Sequence, residues 1–408
     1  MCTVAAAVTD LITLADIELA AERGKSVVAE TPLLPSATFS RLTGRDVWLK
    51  AEILQRAGSF KIRGAMNAIA AIEDRSRGVV AASAGNHAQG VALAATTLGT
   101  AATVFMPVGA ALPKIEATGA YGAEVRLHGE HIGEAVEAAR EFAANTGAHF
   151  VHPYDDPAII AGQATLGVEL AEQMPGPGTV VVPIGGGGLI AGVATALHHL
   201  APGNRVIGVE ASATACYSAS RAAGEPVAVE PRFTLADGIR AAVPSEIVFR
   251  HIEANVDHLV AVDDGAMAEA VAMLLERSKL LVEAAGAASM AALLGGLVPE
   301  GPGPTVLVLS GGNVDLLLLD RVLRRGLEGA GRFGSFTIRV PDVPGQLARV
   351  TKIIAEHRAN VVAVDHRRQG IGLPFGQTEI RFSVETRDAA EFGGICAALG
   401  AMGIEVVR

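Results

Sequence analysis

Cysteine is scarce in this chain. Cys2, Cys216 and Cys396 are the three that 408 residues contain, and no two stand at a spacing that would close a disulfide framework or build a cysteine zinc site. That pattern fits a reducing, cytoplasmic setting. Basic charge is also short: 33 Lys and Arg face 43 Asp and Glu, a net charge of −10. The chain therefore lacks the electrostatic footprint of a protein that binds nucleic acid or an anionic membrane. The uncharged stretch from Thr179 to Leu197 is long enough to span a bilayer, but it holds Pro183 and four consecutive glycines and would make a poor spanning helix. Met1 to Leu14 has no basic region and carries Asp10 early, so it does not read as a secretion signal. Internal repeats and low-complexity tails are absent.

What is present is apolar. Half of the residues are hydrophobic and 19% are charged, enough for a large core, and the length implies two or three compact units. From about Val47 to Leu318, short apolar runs alternate with Ala-rich stretches of helix length. The clearest runs are Val79 to Ala82, Ala102 to Met106, Thr179 to Val182, Val206 to Val209 and Thr305 to Leu309; Gly133 to Thr146 and Gly265 to Leu281 read as helices. Near-continuous apolar strands separated by helices imply α/β architecture, with parallel sheets covered on both faces. Ligands bind such sheets at the carboxyl ends of the strands, which is where the glycine-rich loops fall. Composition shifts between Arg321 and Gly334, read as a helix end and linker. Beyond it a different order begins: strand 335–340, helix 345–357, strands 360–364 and 378–384, helix 389–402 and strand 404–407. This βαββαβ order predicts a separate α+β module of the ferredoxin-like type.

Four segments carry candidate chemistry. In Ser59-Phe60-Lys61-Ile62-Arg63-Gly64-Ala65 a lysine follows a Gly58-Ser59 turn and precedes an apolar helix. Desolvation there would favour the neutral amine, the form a Schiff base to an aldehyde cofactor needs. By itself, a lysine at a helix start is more often a solvated surface residue. Ser83-Ala84-Gly85-Asn86-His87 follows a strand, and its small residues can turn successive amides toward a carboxylate. Asn86 could donate to a ring hydroxyl, or simply tolerate the turn; His87 reads as a hydrogen-bonded orienter. Gly185-Gly186-Gly187-Gly188-Leu189 lies between a strand and a helix. Its continuous glycines differ from the Gly-x-Gly-x-x-Gly dinucleotide spacing and suit a single phosphate monoester at a helix N-terminus. Leu309-Ser310-Gly311-Gly312-Asn313 ends another strand; Ser310 could meet a buried heterocyclic nitrogen, though alone the segment is a turn.

Together these segments resemble the β-elimination family of pyridoxal-phosphate enzymes of fold-type II, which are tryptophan-synthase-β-like, and within it the threonine ammonia-lyases (threonine dehydratases). The likeness runs over nearly the whole chain and includes Thr31-Pro32-Leu33, Leu49-Lys50-Ala51-Glu52, His152 to Asp156, Ile160 to Thr165 and Ala236-Asp237-Gly238-Ile239. It implies a catalytic domain over 1–320 in two lobes, the smaller roughly 55–150, a linker over 321–334 and an ACT regulatory domain over 335–408. By resemblance, Lys61 holds pyridoxal 5'-phosphate as a Schiff base and serves as the base, Phe60 packs beside the ring, and Asn86 binds the ring hydroxyl. Gly185, Gly186, Gly187, Gly188 and Leu189 would cradle the phosphate, Gly238 would join the cofactor site, and Ser310 would bond the pyridine nitrogen. Ser83, Ala84, Gly85, Asn86 and His87 would receive the substrate carboxylate, and Asp342, Val343, Pro344 and Gly345 an amino-acid effector. ACT modules pair edge to edge, which implies a homo-oligomer, a dimer or tetramer.

Departures narrow the choice. Cysteine-synthase-like relatives carry threonine in both the phosphate and asparagine loops; here neither loop does. Serine racemases carry a serine where Ala84 stands, the acid that reprotonates the opposite face. Ala57 and Ala284 replace a usual threonine and a usual glycine of the dehydratases. The racemase metal pattern near Glu210 is broken, with Cys216 at a carboxylate position, so no metal is expected. The expected reaction is elimination of water from L-threonine to give 2-oxobutanoate and ammonia, with serine giving pyruvate. One methyl group is worth roughly 1–3 kcal/mol of discrimination. Alternatives are a serine racemase, a β-replacement enzyme or a 3-hydroxyaspartate dehydratase, or an amino-acid-sensing protein with a vestigial catalytic lobe.

Overall fold

Val79–Ala82, Ala102–Met106 and Thr179–Ile184 are buried at every position, a condition that strands meet inside a parallel sheet with helices on both faces. The computed structural model describes residues 11–368 and 373–407. Residues 1–10 with Cys2, residues 369–372 and Arg408 belong to the expected first and last domains and lie outside the described residues. The chain divides into two compact units between Leu319 and Asp320.

The first unit contains β1 (Leu33–Pro35), β2 (Val47–Lys50), β3 (Val79–Ala82), β4 (Ala102–Met106), β5 (Glu124–Leu127), β6 (His149–Phe150), β7 (Thr179–Ile184), β8 (Arg205–Ala211), β9 (His258–Val262) and β10 (Thr305–Val308). They form two sheets, one in the order β5-β4-β3-β6 and one in the order β1-β2-β10-β7-β8-β9. Every pairing is parallel except β1 with β2. The smaller sheet is inserted between β2 and β7, so the chain crosses from one sheet to the other just before Lys61 and returns just before the Pro157–Gln173 helix.

Those two crossings are fastened together. The Lys61–Ala70 and Pro157–Gln173 helices touch through glycine: a Cβ on Gly162 would sit 2.6 Å from the Gly64 Cα. Beside that contact, Arg63, with a fully buried side chain, bonds Glu52 at 2.8 Å and Glu169 at 2.6 Å. Lys50 bonds Glu169 at 2.5 Å and donates to the Thr31 carbonyl at 2.7 Å. Two cations and two anions balance, the condition under which buried charges are tolerated. The cluster ties β2, the lysine helix and the Pro157–Gln173 helix into one frame.

The second unit holds β11 (Phe333–Pro341), β12 (Asn360–Arg367), β13 (Gln377–Glu385) and β14 (Glu405–Val407) in the antiparallel order β12-β13-β11-β14. Alternating burial along β11 and β13 leaves one face to pack Val350, Ile354, Ile395 and Leu399 of the Gln346–Glu356 and Ala389–Ala401 helices. One expectation is corrected here. Most of 321–334 is not a linker: Leu316–Gly329 is a continuous helix, and β11 already starts at Phe333. Its Arg and Glu residues lie on the exposed side of an amphipathic helix, opposite buried Val322 and Gly326, and Asp320 and Arg324 pair there at 3.0 Å one turn apart.

Candidate active site

The lysine segment is held by the turn before it and the strand end beside it. Ala57 and Gly58 both adopt positive φ, 61° and 68°, a conformation unfavourable for alanine. Asn313 supports it by donating from Nδ2 to the Ala57 carbonyl at 2.6 Å. Ser59 pairs with Gly311 in an antiparallel bridge, and the Phe60 amide donates to the Ser310 carbonyl at 3.2 Å. Lys61 then opens its helix with Nζ donating to the Pro153 carbonyl at 3.0 Å and lying 5.1 Å from the Phe60 ring centroid. Removal from water pushes the amine down to about 8, against the opposing pull of Glu283. Lys61 and Glu283 are both enclosed by protein yet keep some accessible surface, the condition of groups lining a recess.

From Lys61 the contacts run round a closed ring. Tyr154, next to Pro153, covers the glycine run: a Cβ on Gly186 would lie 1.9 Å from its ring. Gly187 has φ 83° and starts the Gly188–Leu200 helix without a side-chain cap, so backbone amides are left to face an anion. Tyr217 fixes the loop from behind by donating to the Gly186 carbonyl at 2.8 Å. A Cβ on Gly185 would be 2.8 Å from the Gly238 carbonyl, one on Gly238 would be 3.5 Å from Glu283 Oε1, and one on Gly311 would be 2.5 Å from that same oxygen. Gly311 adjoins Ser310, which returns the path to Phe60.

The asparagine loop joins this ring through Asn86, which bonds Glu283. Asn86 opens the Asn86–Thr97 helix after Gly85, again without a side-chain cap, and a Cβ on Gly85 would meet nothing within 4 Å. The Gly85 amide donates to Ser83 Oγ at 3.1 Å. His87 is buried with Nε2 2.9 Å from the Val151 carbonyl; burial and then Lys61 push it down to about 3, so the ring is neutral and acts as a fixture. Asn86 donates from Nδ2 to Glu283 Oε1 at 2.7 Å and accepts at Oδ1 from Asn313 Nδ2 at 2.9 Å.

Lys61, Phe60, the Ser83–His87 loop, Gly185 to Leu189, Gly238 and Ser310 are thus brought to one recess. The Asp342–Gly345 turn belongs to the second unit, where Asp342 pairs with Arg368 at 3.4 Å and Gly345, at φ 94°, starts a helix with no side-chain cap. Sequence reasoning gave no role to Glu283, Asn313 or Tyr154. A signal for Glu283 existed: a lone carboxylate between Val282 and Ala284-Ala285-Gly286 is out of place unless it has a partner. Among the described residues no group of three or more His, Cys, Asp or Glu could hold a metal.

The recess suits a phosphorylated heterocyclic aldehyde. Glycines admit backbone where any side chain would collide with Tyr154, and the lysine is desolvated. Ser59 Oγ is buried with no hydrogen-bond partner, and the facing Ser310, also buried, has a hydroxyl that bonds no protein group among the described residues. Residues 25–311 match the family described as pyridoxal-phosphate dependent enzyme, and residues 335–401 match the ACT domain. The chain belongs to the pyridoxal-phosphate dependent enzymes, with pyridoxal 5'-phosphate as cofactor, the fold of the fold-type II group and a C-terminal ACT domain. The L-threonine ammonia-lyase of Thermotoga maritima is 45% identical over 97% of this chain and 99% of its own length. The solved structure of the processed form of threonine deaminase isoform 2 from Solanum lycopersicum shares 32% identity at TM-score 0.72, covering 77% of this chain and 94% of that one. Maize serine racemase shares 35% identity at TM-score 0.73, covering 78% and 99%.

Gly186→Ala tests the cradle. Its methyl must displace Tyr154, so cofactor affinity, read by absorbance titration of the stripped protein, is expected to fall at least tenfold. Adding Tyr154→Ala to make room is expected to recover part of the loss; an unchanged affinity in Gly186→Ala would remove the glycine run from the site.

Proposed function

We propose that this chain deaminates L-threonine to 2-oxobutanoate and ammonia by eliminating water, and L-serine to pyruvate by the same steps. The observation that carries the reading is the neutral-prone Lys61 amine opposite an uncapped helix start, in a chain similar over almost its full length to an L-threonine ammonia-lyase. Bound pyridoxal phosphate supplies the electron sink that makes the Cα proton of an amino acid labile.

The protein's own residues do the rest. The Ala84, Asn86 and His87 amides, with the Ser83 hydroxyl, hold the substrate carboxylate, aided by the helix start, while the Ser83 and Gly85 amides brace the loop on the Phe105 carbonyl and Ser83 Oγ. Neutral His87, tied to the Val151 carbonyl, keeps that loop in place. Phe60 excludes water beside Lys61, whose unprotonated Nζ takes the Cα proton as general base. Loss of the β-hydroxyl as water leaves an enamine, which tautomerises and is hydrolysed to the oxo acid and ammonia. The Ser310 hydroxyl would donate a hydrogen bond to the ring nitrogen without carrying a charge, and Gly185 to Leu189 would hold the phosphate, with Gly238 beside them. Ala84 offers only a methyl on the side where serine racemases carry a hydroxyl, so no proton returns from there. That favours elimination over the racemase reading suggested by the maize enzyme.

For the second unit the proposal is amino-acid sensing. The Asp342–Gly345 turn would meet the effector through the Gly345 amide, ahead of an uncapped helix, while the Asp342 and Val343 amides brace the turn on the Gly376 and Pro341 carbonyls; exposed β12 at the sheet edge suits pairing with a second copy in a homo-oligomer. Two buried free cysteines fit the cytoplasm, and no helix among the described residues is long and apolar enough to cross a membrane.

With L-threonine, the purified enzyme is expected to release equal amounts of 2-oxobutanoate and ammonia. With L-serine it should give pyruvate and little D-serine, and Lys61→Ala should lose the cofactor's visible band and nearly all turnover. Predominant D-serine, or turnover retained by Lys61→Ala, would contradict the assignment. Isoleucine or valine is expected to shift the threonine saturation curve of the full chain but not of one ending at residue 334. An identical shift in both would put the effector elsewhere, since coupling requires unequal binding to two states.

A further inference from the structure

We propose that Glu283 is a positioning residue of this site: with Asn313 it fixes which way round the Asn86 carboxamide lies, leaving Asn86 only a donor to offer the ring oxygen. This rests on the reading that Asn86 faces the cofactor ring.

The geometry forces a direction. A carboxylate only accepts hydrogen bonds, so the Asn86 atom 2.7 Å from Glu283 Oε1 is the nitrogen. Asn86 Oδ1 is then left to accept from Asn313 Nδ2 at 2.9 Å. Asn313 is oriented by a second acceptor-only group, the Ala57 carbonyl at 2.6 Å, with Gln89 Oε1 at 3.3 Å on the same nitrogen. Asn313 Nδ2 thus donates both to the Ala57 carbonyl, which fixes its orientation, and to Asn86, and from Asn313 through Asn86 to Glu283 the two bonds run in one direction. Serial hydrogen bonds polarise one another, and a charged terminus strengthens the last of them. One Asn86 N–H remains, and an oxygen placed against it can only accept.

Glu283 cannot turn away. Its amide donates to the Gly311 carbonyl at 3.0 Å, and Gly311 leaves room for the carboxylate only because it has no Cβ, which would lie 2.5 Å from Oε1. The charged groups facing it are Lys114 from the Leu112–Ala120 helix, Asp237 from the loop that carries Gly238, and Lys61. Burial pushes Glu283 up to about 7, opposed by the Asn86 hydrogen bond and Lys114. Above that pH the carboxylate locks Asn86. Below it the neutral acid accepts more weakly and can itself donate, which frees the amide to reverse.

The test is a pH titration of the visible spectrum of the cofactor-loaded enzyme, with cofactor affinity measured alongside. The parent is expected to show a spectral step near pH 7. Glu283→Gln should abolish the step and weaken cofactor binding several-fold, whereas Glu283→Asp should retain a step at a shifted pH. Asn313→Ala, which loosens the amide from the far end, should alter the spectrum at every pH, and it decides the matter if Glu283→Gln does not fold. A parental step and affinity in Glu283→Gln, or a parental spectrum in Asn313→Ala, would overturn the proposal. Asn86→Ala separates the two readings. If it alters spectrum and affinity while Glu283→Gln does not, only the role of Glu283 fails; if it alters neither, the placement of Asn86 against the ring fails too.

Discussion

One amine kept out of water is the constraint on which the site depends. Lys61 ends at a backbone carbonyl with its Nζ over the Phe60 ring, and no carboxylate is bonded to it. Removal from water outweighs what those two groups offer an ammonium ion, and the equilibrium moves toward the neutral, nucleophilic form. Keeping it there takes both sheets of the first unit. The Lys61–Ala70 helix begins where the chain leaves the larger sheet, while Ser310 and Gly311, at the end of β10, bond across to Phe60 and Ser59. The buried charges around Arg63 anchor the same helix from its other side. Removing one member would leave its partner uncompensated in a dry interior, a change of about 3–5 kcal/mol.

Glycine does the complementary work of bringing backbone close. At Gly186 and Gly311 a single carbon would occupy space taken by Tyr154 and Glu283, so the polar surface of the recess is largely main chain. Backbone amides hold an anion with little conformational freedom left to lose. The titratable groups that remain are few and differently tuned: His87 is held neutral by burial, while Lys61 and Glu283 sit near the middle of the pH range. Opposite displacements of an amine and a carboxyl in one recess mark a site built for proton transfer.

Much of this could be read along the chain, because the informative signals are local. The fully apolar strands, the four consecutive glycines after β7, the lysine segment and the βαββαβ order of the tail each occupy a short window. What Glu283 and Asn313 do was not legible, even where a lone carboxylate in an apolar run marked Glu283, because it comes from Asn86, 197 and 227 positions away along the chain. The segment 321–334 misled for another reason: its Arg-Glu-Gly composition suggests a linker, while its apolar positions recur at helical spacing and the structure makes most of it helix.

The most direct test of the account is the acidity of that amine in the cofactor-stripped protein. Trapping the adduct of pyridoxal phosphate with borohydride over a range of pH, then locating it by peptide mass spectrometry, measures both its position and its ionisation. The account predicts modification at Lys61 rising with pH through a midpoint near 8. A midpoint near the ordinary lysine value of about 10.4, or an adduct on another lysine, would contradict it.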